Sequence, residues 1–221
     1  MKYRPVALML MLLTAGCASS TAGSPDHSGT WKKLKAQLDS VEAVRASHPI
    51  PESDRKSQIE ALVERQRRLE PLYVSFITSL REYVEATGDG TASSIYARER
   101  MLMGDEYARY LARYERAIDL YRSALEADPG NAGILERIEA AENRMFVSAG
   151  QFGRIQPGMY ERTIFDLIGY PRVDWVKQTV RDGRVFTVWI YPKEDGGAAA
   201  VYFDDGVVYH KKWNADYDAG S

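Results

Sequence analysis

The chain has 221 residues and a single cysteine, Cys17. A lone cysteine excludes an intrachain disulfide, so every folded part must be held by packing. Histidine is scarce as well: His27, His48 and His210 stand in three separate segments, with no spacing that would gather zinc ligands. No phosphate-cradling glycine loop, nucleophile elbow or Cys/His arrangement occurs, so no catalytic residue, cofactor or metal is expected, and the chain does not read as an enzyme. Neither sign of charge dominates, with 29 Lys and Arg against 31 Asp and Glu. Without a basic stripe to track phosphates, nucleic acid is not an expected partner. No apolar run approaches the ~20 residues that span a bilayer. Hydrophobic residues still make up 45% of the chain, enough for packed cores rather than disorder.

The beginning of the chain sets its compartment. Lys2 and Arg4 precede the apolar run 6–13, and small residues Ala15 and Gly16 lead to Cys17. A basic start, a short apolar stretch and a small-residue cut site read as a secretory signal. With the cysteine directly after, residues 1–16 resemble a bacterial lipoprotein signal, although Thr14 stands where that signal usually has leucine. The resemblance implies cleavage before Cys17 and acylation of its thiol and new amino terminus. Several acyl chains, at roughly 0.8 kcal/mol per buried CH₂, give a stable membrane anchor. The small polar stretch 17–29 is then the lipidated residue and its tether, and Ala18 favours the outer membrane by the same resemblance.

Residues 30–149 carry helical periodicity. Trp31, Leu34, Leu38, Val41 and Val44 form one apolar stripe, broken by His48-Pro49-Ile50-Pro51. Residues 53–86 form the next, with Ile59, Leu62, Val63, Leu69, Leu72, Phe76, Ile77, Leu80 and Val84 on one face and a kink or restart expected at Pro71. Thr87-Gly88-Asp89-Gly90 reads as a loop. From 94 to 127 the stripe turns aromatic, with Tyr107, Tyr110, Tyr114 and Tyr121, and a further helix is expected over 131–145. Ala117, Tyr121, Ala124 and Pro129 resemble the second helix of a tetratricopeptide repeat, placing one such unit near 98–131; Asp105 and Ala108 stand where its glycine and tyrosine belong. A plain helical bundle fits the same spacing. Gly150, after Ser148-Ala149, is expected to stop the helical region with a left-handed cap.

A different texture follows over 150–213. One short helix is expected over 160–168, stopped by Gly169-Tyr170-Pro171. Asp182-Gly183 between β-rich runs at 176–181 and 184–191 marks a hairpin, and 198–203 and 207–210 flank a second at Asp204-Asp205-Gly206. The fold class expected is therefore α+β: an all-helical, repeat-like region, then one helix on a small antiparallel sheet, with a tail at 214–221.

Ile155, Gly158-Met159, Gly169-x-Pro171, Trp189-x-Tyr191 and Phe203 to Gly206, in that order and spacing, resemble the BamE (SmpA/OmlA) family of small outer-membrane lipoproteins. Tyr160 stands where that family has a capping Thr or Ser. These positions read as structural: Gly158 and Gly169 for unusual backbone angles, Pro171 for the exit to the sheet, and Met159, Ile164, Leu167, Trp189 and Phe203 for the core. The resemblance implies a periplasm-facing outer-membrane lipoprotein that binds proteins as a scaffold or accessory in outer-membrane assembly or envelope maintenance, with the β-barrel assembly machinery as a possible partner. Tyr160, Tyr170 and Arg172 are its candidate partner surface. Two other readings stay open: a peptide- or small-ligand-binding lipoprotein using the tyrosine-rich helices, and an enzyme inhibitor using the loop 194–198.

Overall fold

The computed structural model of the chain describes residues 27–215. Cys17, the signal stretch, most of the tether and Asp216 to Ser221 lie outside the described residues. The fold is α+β: a helical region followed by a small helix-plus-sheet module.

Helix α1 (Ser28–Ser47) starts two residues earlier than the composition of the tether implies. It buries Leu34 and Val41 of the expected stripe and ends at His48, ahead of the two prolines. Helix α2 (Arg55–Thr87) is opened by Asp54, whose side chain accepts from the Ser57 amide at 3.1 Å, and closed by Gly88 in the left-handed conformation. It runs through Pro71 as one helix, so no restart occurs there. Its buried face holds Leu62, Leu69, Phe76 and Leu80 as expected, but Val63 and Leu72 are exposed and Tyr73 and Tyr83 are buried instead. The expected loop at 87–90 shrinks to Gly88 and Asp89, because Asp89 already caps α3 (Gly90–Arg109) by accepting from the Ala92 amide at 2.8 Å.

Helix α3 turns at 110–113 into α4 (Tyr114–Ala127), and α5 (Ala132–Met145) follows with Asn131 as its cap. Ala117, Tyr121 and Ala124 are buried packing residues between these helices. A Cβ at Gly104 would overlap the Tyr121 ring, so this glycine, one place before Asp105, is what lets α3 and α4 approach. Two buried ion pairs tie the bundle. Arg45 reaches the wholly buried Glu99 at 2.7 Å, and Arg65 reaches Glu106 at 2.6 Å. Burial pushes the Glu106 carboxyl up, against the pull of Arg65 and Arg45.

Gly150 does not stop a helix. It lies inside the short helix α6 (Ala149–Gly153), because Ser148 and Gln151 form a reciprocal capping box that opens a new helix there. The module's packing begins a little earlier still, where the Val147 amide donates to Pro192 at 3.0 Å. Helix α7 (Glu161–Ile168) follows Tyr160, which offers no side-chain cap, and ends at Gly169 with φ 77° and ψ −177°. That angle is positive in φ but extended in ψ, not the left-handed helical stop the sequence implies. A 3-10 turn at Val173–Trp175 leads into the sheet.

The sheet is an antiparallel meander in the order β1-β2-β3-β4: β1 (Val176–Arg181), β2 (Arg184–Pro192), β3 (Ala198–Asp204) and β4 (Val207–Ala215). Both hairpins are two-residue turns with positive φ throughout, Asp182 52° and Gly183 77°, then Asp205 46° and Gly206 78°. Asp204 belongs to the strand, and β4 continues past His210 to Ala215. One face buries Trp189, Tyr191, Val201, Phe203 and Val208 against α6, α7 and Ile155. The outer face carries a second apolar cluster, Ile190, Ala198 and Ala200, with Trp175, Val188 and Tyr202 around it.

Candidate binding cleft

The expected motif residues separate into two places. Ile155, Trp189 and Phe203 are buried in the module's core, with Met159 packed against it. Gly158, at φ 89°, donates its amide to Val208 and Val208 donates to Met159, both at 2.8 Å, while the Gly206 carbonyl accepts from Glu161. These residues stitch the segment before α7 to the edge of β4. Gly169, Tyr170, Pro171, Arg172 and Tyr191 come together elsewhere, on the side of the module that faces the helices.

Tyr160, 65% exposed, bridges to Val207 and lines neither cavity described below. Tyr170 is not a free surface residue. Its ring lies 4.3 Å from Phe165, 5.4 Å from Trp189 and 3.8 Å from the guanidinium of Arg55, because the chain leaving α7 folds back under the helical region. Arg172 is half-buried and paired to Asp174 at 2.7 Å.

Arg55, at the first turn of α2, joins the two regions. It donates to the carbonyl of the buried Pro171 at 2.9 Å and stacks on Tyr170. It forms no ion pair among the described residues; burial lowers its pKa to about 10, against the pull of Tyr170, Tyr191 and Tyr114. The guanidinium's second terminal nitrogen, Nη1, has no hydrogen-bond partner. Stacking on a desolvated aromatic face contributes about 2 kcal/mol and offsets part of the cost of burying the cation. The Val173 amide donates to Leu111 at 3.4 Å, and Asp174 lies 4.0 Å from Arg113. Burial tends to raise the Asp174 carboxyl, but the hydrogen bond and charge of Arg172, with Arg113 beside it, hold it below its ordinary value.

Between these contacts the regions leave a cavity of about 380 Å³. The helical side supplies Tyr107, Arg113, Tyr114, Arg116, Arg144 and Phe146; the module supplies Tyr170, Arg172, Trp175 and Tyr191. A second hollow of about 810 Å³, lined also by Asp105, Arg109, Arg137, Phe165 and Asp166, shares Tyr114, Arg144, Phe146, Ile168 and Tyr170 with the first. The two adjoin as one cleft. Tyr191 donates its hydroxyl to the Gly169 carbonyl at 2.9 Å, fixing the loop that forms the floor. Burial raises the pKa of both Tyr114 and Tyr191, so both walls present neutral phenols.

The tyrosine stripe thus divides. Tyr121 is core, hydrogen-bonded to Asp105 at 2.8 Å, Tyr110 is half-buried, and Tyr107 and Tyr114 are cleft wall. Arg55, Arg144, Arg116 and Trp175 were not singled out from sequence. A lone arginine at the first turn of a helix or on its exposed face has no sequence signature of a site.

Among the described residues no group of three or more His, Cys, Asp or Glu is placed to hold a metal, and no helix is long and apolar enough to cross a membrane. Comparison with protein-family models, with curated proteins and with solved structures finds no match to this chain.

Proposed function

We propose that this protein is a lipid-anchored binding protein of the bacterial envelope that holds a partner protein in the cleft between its helical region and its sheet module. The observation that carries the reading is the cleft: a concavity at a junction of two regions, of a size that takes side chains or a short peptide, walled by aromatic rings with a few cations. Nothing in its chemistry calls for a reaction. The lining offers stacking surfaces and guanidinium groups, which recognise and retain.

The anchor comes from the sequence. An acylated Cys17 would confine the chain to a membrane surface and raise its effective concentration for partners there. The order of motifs in the module resembles BamE-type lipoproteins, and on that resemblance the partner belongs to outer-membrane assembly or envelope maintenance, with the chain facing the periplasm. The peptide-binding reading joins this one, since Tyr107 and Tyr114 line the cleft. The inhibitor reading would rest on its loop alone, an exposed tight turn with the Lys193 amide donating to Gly197 and Gly196 donating back to Lys193, both at 3.2 Å.

The test is affinity capture from gently crosslinked membranes with the tagged wild type, Cys17→Ala, and a cleft variant carrying Arg116→Glu and Arg144→Glu. A partner enriched with the wild type and lost with both variants supports the reading. The same partners captured by the cleft variant would sink the cleft as the site, and an unlipidated wild type would sink the anchor.

A further inference from the structure

Resting on the cleft as the binding site, a close account of its charges identifies what it takes. Three acidic groups at the cleft are already engaged, while Glu115, which lines the first cavity beside Arg116, forms no ion pair among the described residues and is outnumbered by the lining arginines. Asp105 holds Arg137 at 3.0 Å and accepts from Tyr121, and Asp166 pairs with Arg162 at 3.3 Å. Asp174, at the rim, serves both Arg172 and Arg113. Arg116 and Arg144 differ from these arginines. Both line the first cavity, Arg144 lines the second as well, and neither forms an ion pair among the described residues.

Arg55 adds to the same field from behind the floor. It acts electrostatically on Tyr114 and Tyr191, two of the cleft's own walls, and forms no ion pair among the described residues. The cleft therefore carries net positive charge in a chain whose overall formal charge is −2. Low-dielectric walls around such a concavity concentrate its field on whatever enters.

Shape separates the anionic candidates. Two adjoining hollows that share a wall of Tyr114, Arg144 and Phe146 suit an extended ligand with side chains on both sides. Arg116 and Arg144 are exposed on the cleft wall, so the rings beside them decide between a flat bilayer surface and a peptide: the aromatic side chains of a peptide would find Tyr107, Tyr114 and Trp175 as stacking partners.

We propose that the cleft binds an extended acidic peptide segment bearing aromatic side chains, with a carboxylate seated between Arg116 and Arg144. A guanidinium takes a carboxylate through two parallel hydrogen bonds, which sets the register of the segment. The aromatic residues fill the hollows on either side.

The experiment is fluorescence anisotropy on the full chain in detergent, with a labelled synthetic peptide alternating aspartate and tyrosine. Counterparts with asparagine or lysine in place of aspartate are run beside it. The acidic peptide is expected to bind saturably and to weaken as salt rises. The asparagine peptide should bind about tenfold more weakly, and the lysine peptide more weakly still. Arg116→Glu with Arg144→Glu should lose about tenfold for the acidic peptide, whereas Arg81→Glu, an exposed arginine of α2 paired to Glu85, should change nothing. Far-UV circular dichroism of each variant checks that the fold is kept.

Equal binding of the asparagine peptide would overturn the acidic preference while leaving the cleft as the site, since that binding would still fall when Tyr114→Ala is introduced. Displacement of the peptide from Arg116 and Arg144 by anionic lipid vesicles, with no effect of peptide sequence, would overturn it in favour of a membrane headgroup. Peptide binding seen only after removal of residues 216–221 would assign the cleft to the chain's own Asp216-Tyr217-Asp218 stretch and overturn a partner in trans. Failure of every peptide, together with capture that ignores the cleft variant, would sink the functional reading as well.

Discussion

The helical region and the sheet module solve the same problem, a packed interior without disulfides, by opposite means. The helices are long and bury charge: Glu99 and Arg65 lie inside, tied to Arg45 and Glu106. The module is short and buries rings: Trp189 sits 4.8 Å from Phe203 and 5.4 Å from Tyr170, with Phe152 against Trp213 at 5.3 Å. It buries one lysine as well, Lys193, which donates to Asn214 at 2.7 Å and pairs with Asp195 at 3.2 Å, while Lys211 donates to the carbonyls of Phe152, Gly153 and Ile155 and closes the end of α6. A buried ion pair adds little net stability but fixes which helices meet, whereas stacked rings stabilise directly. The contrast teaches where each region is vulnerable.

The largest effect is expected from the module. Phe203→Ala should cost about 3 to 5 kcal/mol, seen as a lower thermal midpoint and red-shifted tryptophan emission. A loss below 1 kcal/mol would mean that the rings do not carry the module. In the helices, Glu99→Ala should cost about 3 kcal/mol because Arg45 is left buried without its partner, while Glu99→Leu with Arg45→Met should recover most of it. If the double variant were as unstable as the single, the pair would be a source of net stability and the contrast would fail. Gly104→Ala comes next, at about 1 to 3 kcal/mol, from overlap with Tyr121. Arg55→Ala should cost about 1 to 2 kcal/mol and loosen the module from the helices, measured as faster proteolysis near Pro171.

The smallest effect is a pH dependence. Burial pushes Tyr73 up to about 12 and raises Tyr121 and Tyr191 as well. An unfolded tyrosine ionises near ~10. The folded protein therefore holds protons that the unfolded chain has lost, and this contribution to stability is complete below about pH 10 and disappears as pH rises towards the folded values. Tyrosinate absorbance should lag behind that of the denatured chain and catch up only on unfolding. Coincident titration would place those phenols in water.

How much of this was written in the sequence follows from the range of each signal. Asp182-Gly183 and Asp205-Gly206 encode their turns locally, so β1, β2 and β3 were legible to within a residue, whereas β4 runs on past the expected His210 to Ala215. The stripe of α1 and the break at Gly88-Asp89, within the loop expected over 87–90, were local as well. Pro71 starts no new helix, because the tertiary setting of α2 tolerates one missing amide. Gly150 misled because the Ser148-x-x-Gln151 box outweighs a glycine as a stop. The cleft was hardly legible at all. Its walls come from α3, α4, α5, the loop after α7 and β2, and Arg55 reaches it from a residue 116 positions before Pro171. The tyrosine stripe hinted at it without saying which rings face inward, and of the expected partner residues Tyr170 and Arg172 line it while Tyr160 does not.

Site-specific photo-crosslinking in living cells tests the central claim most directly. A photoreactive phenylalanine would replace Phe146, which lines both hollows, and in a second strain Tyr209, 52% exposed on β4. The account predicts a discrete crosslinked partner from position 146 that fades with Arg116→Glu and Arg144→Glu, and little from position 209. A partner captured at position 209 and none at position 146 would move the binding surface to the sheet and contradict the cleft.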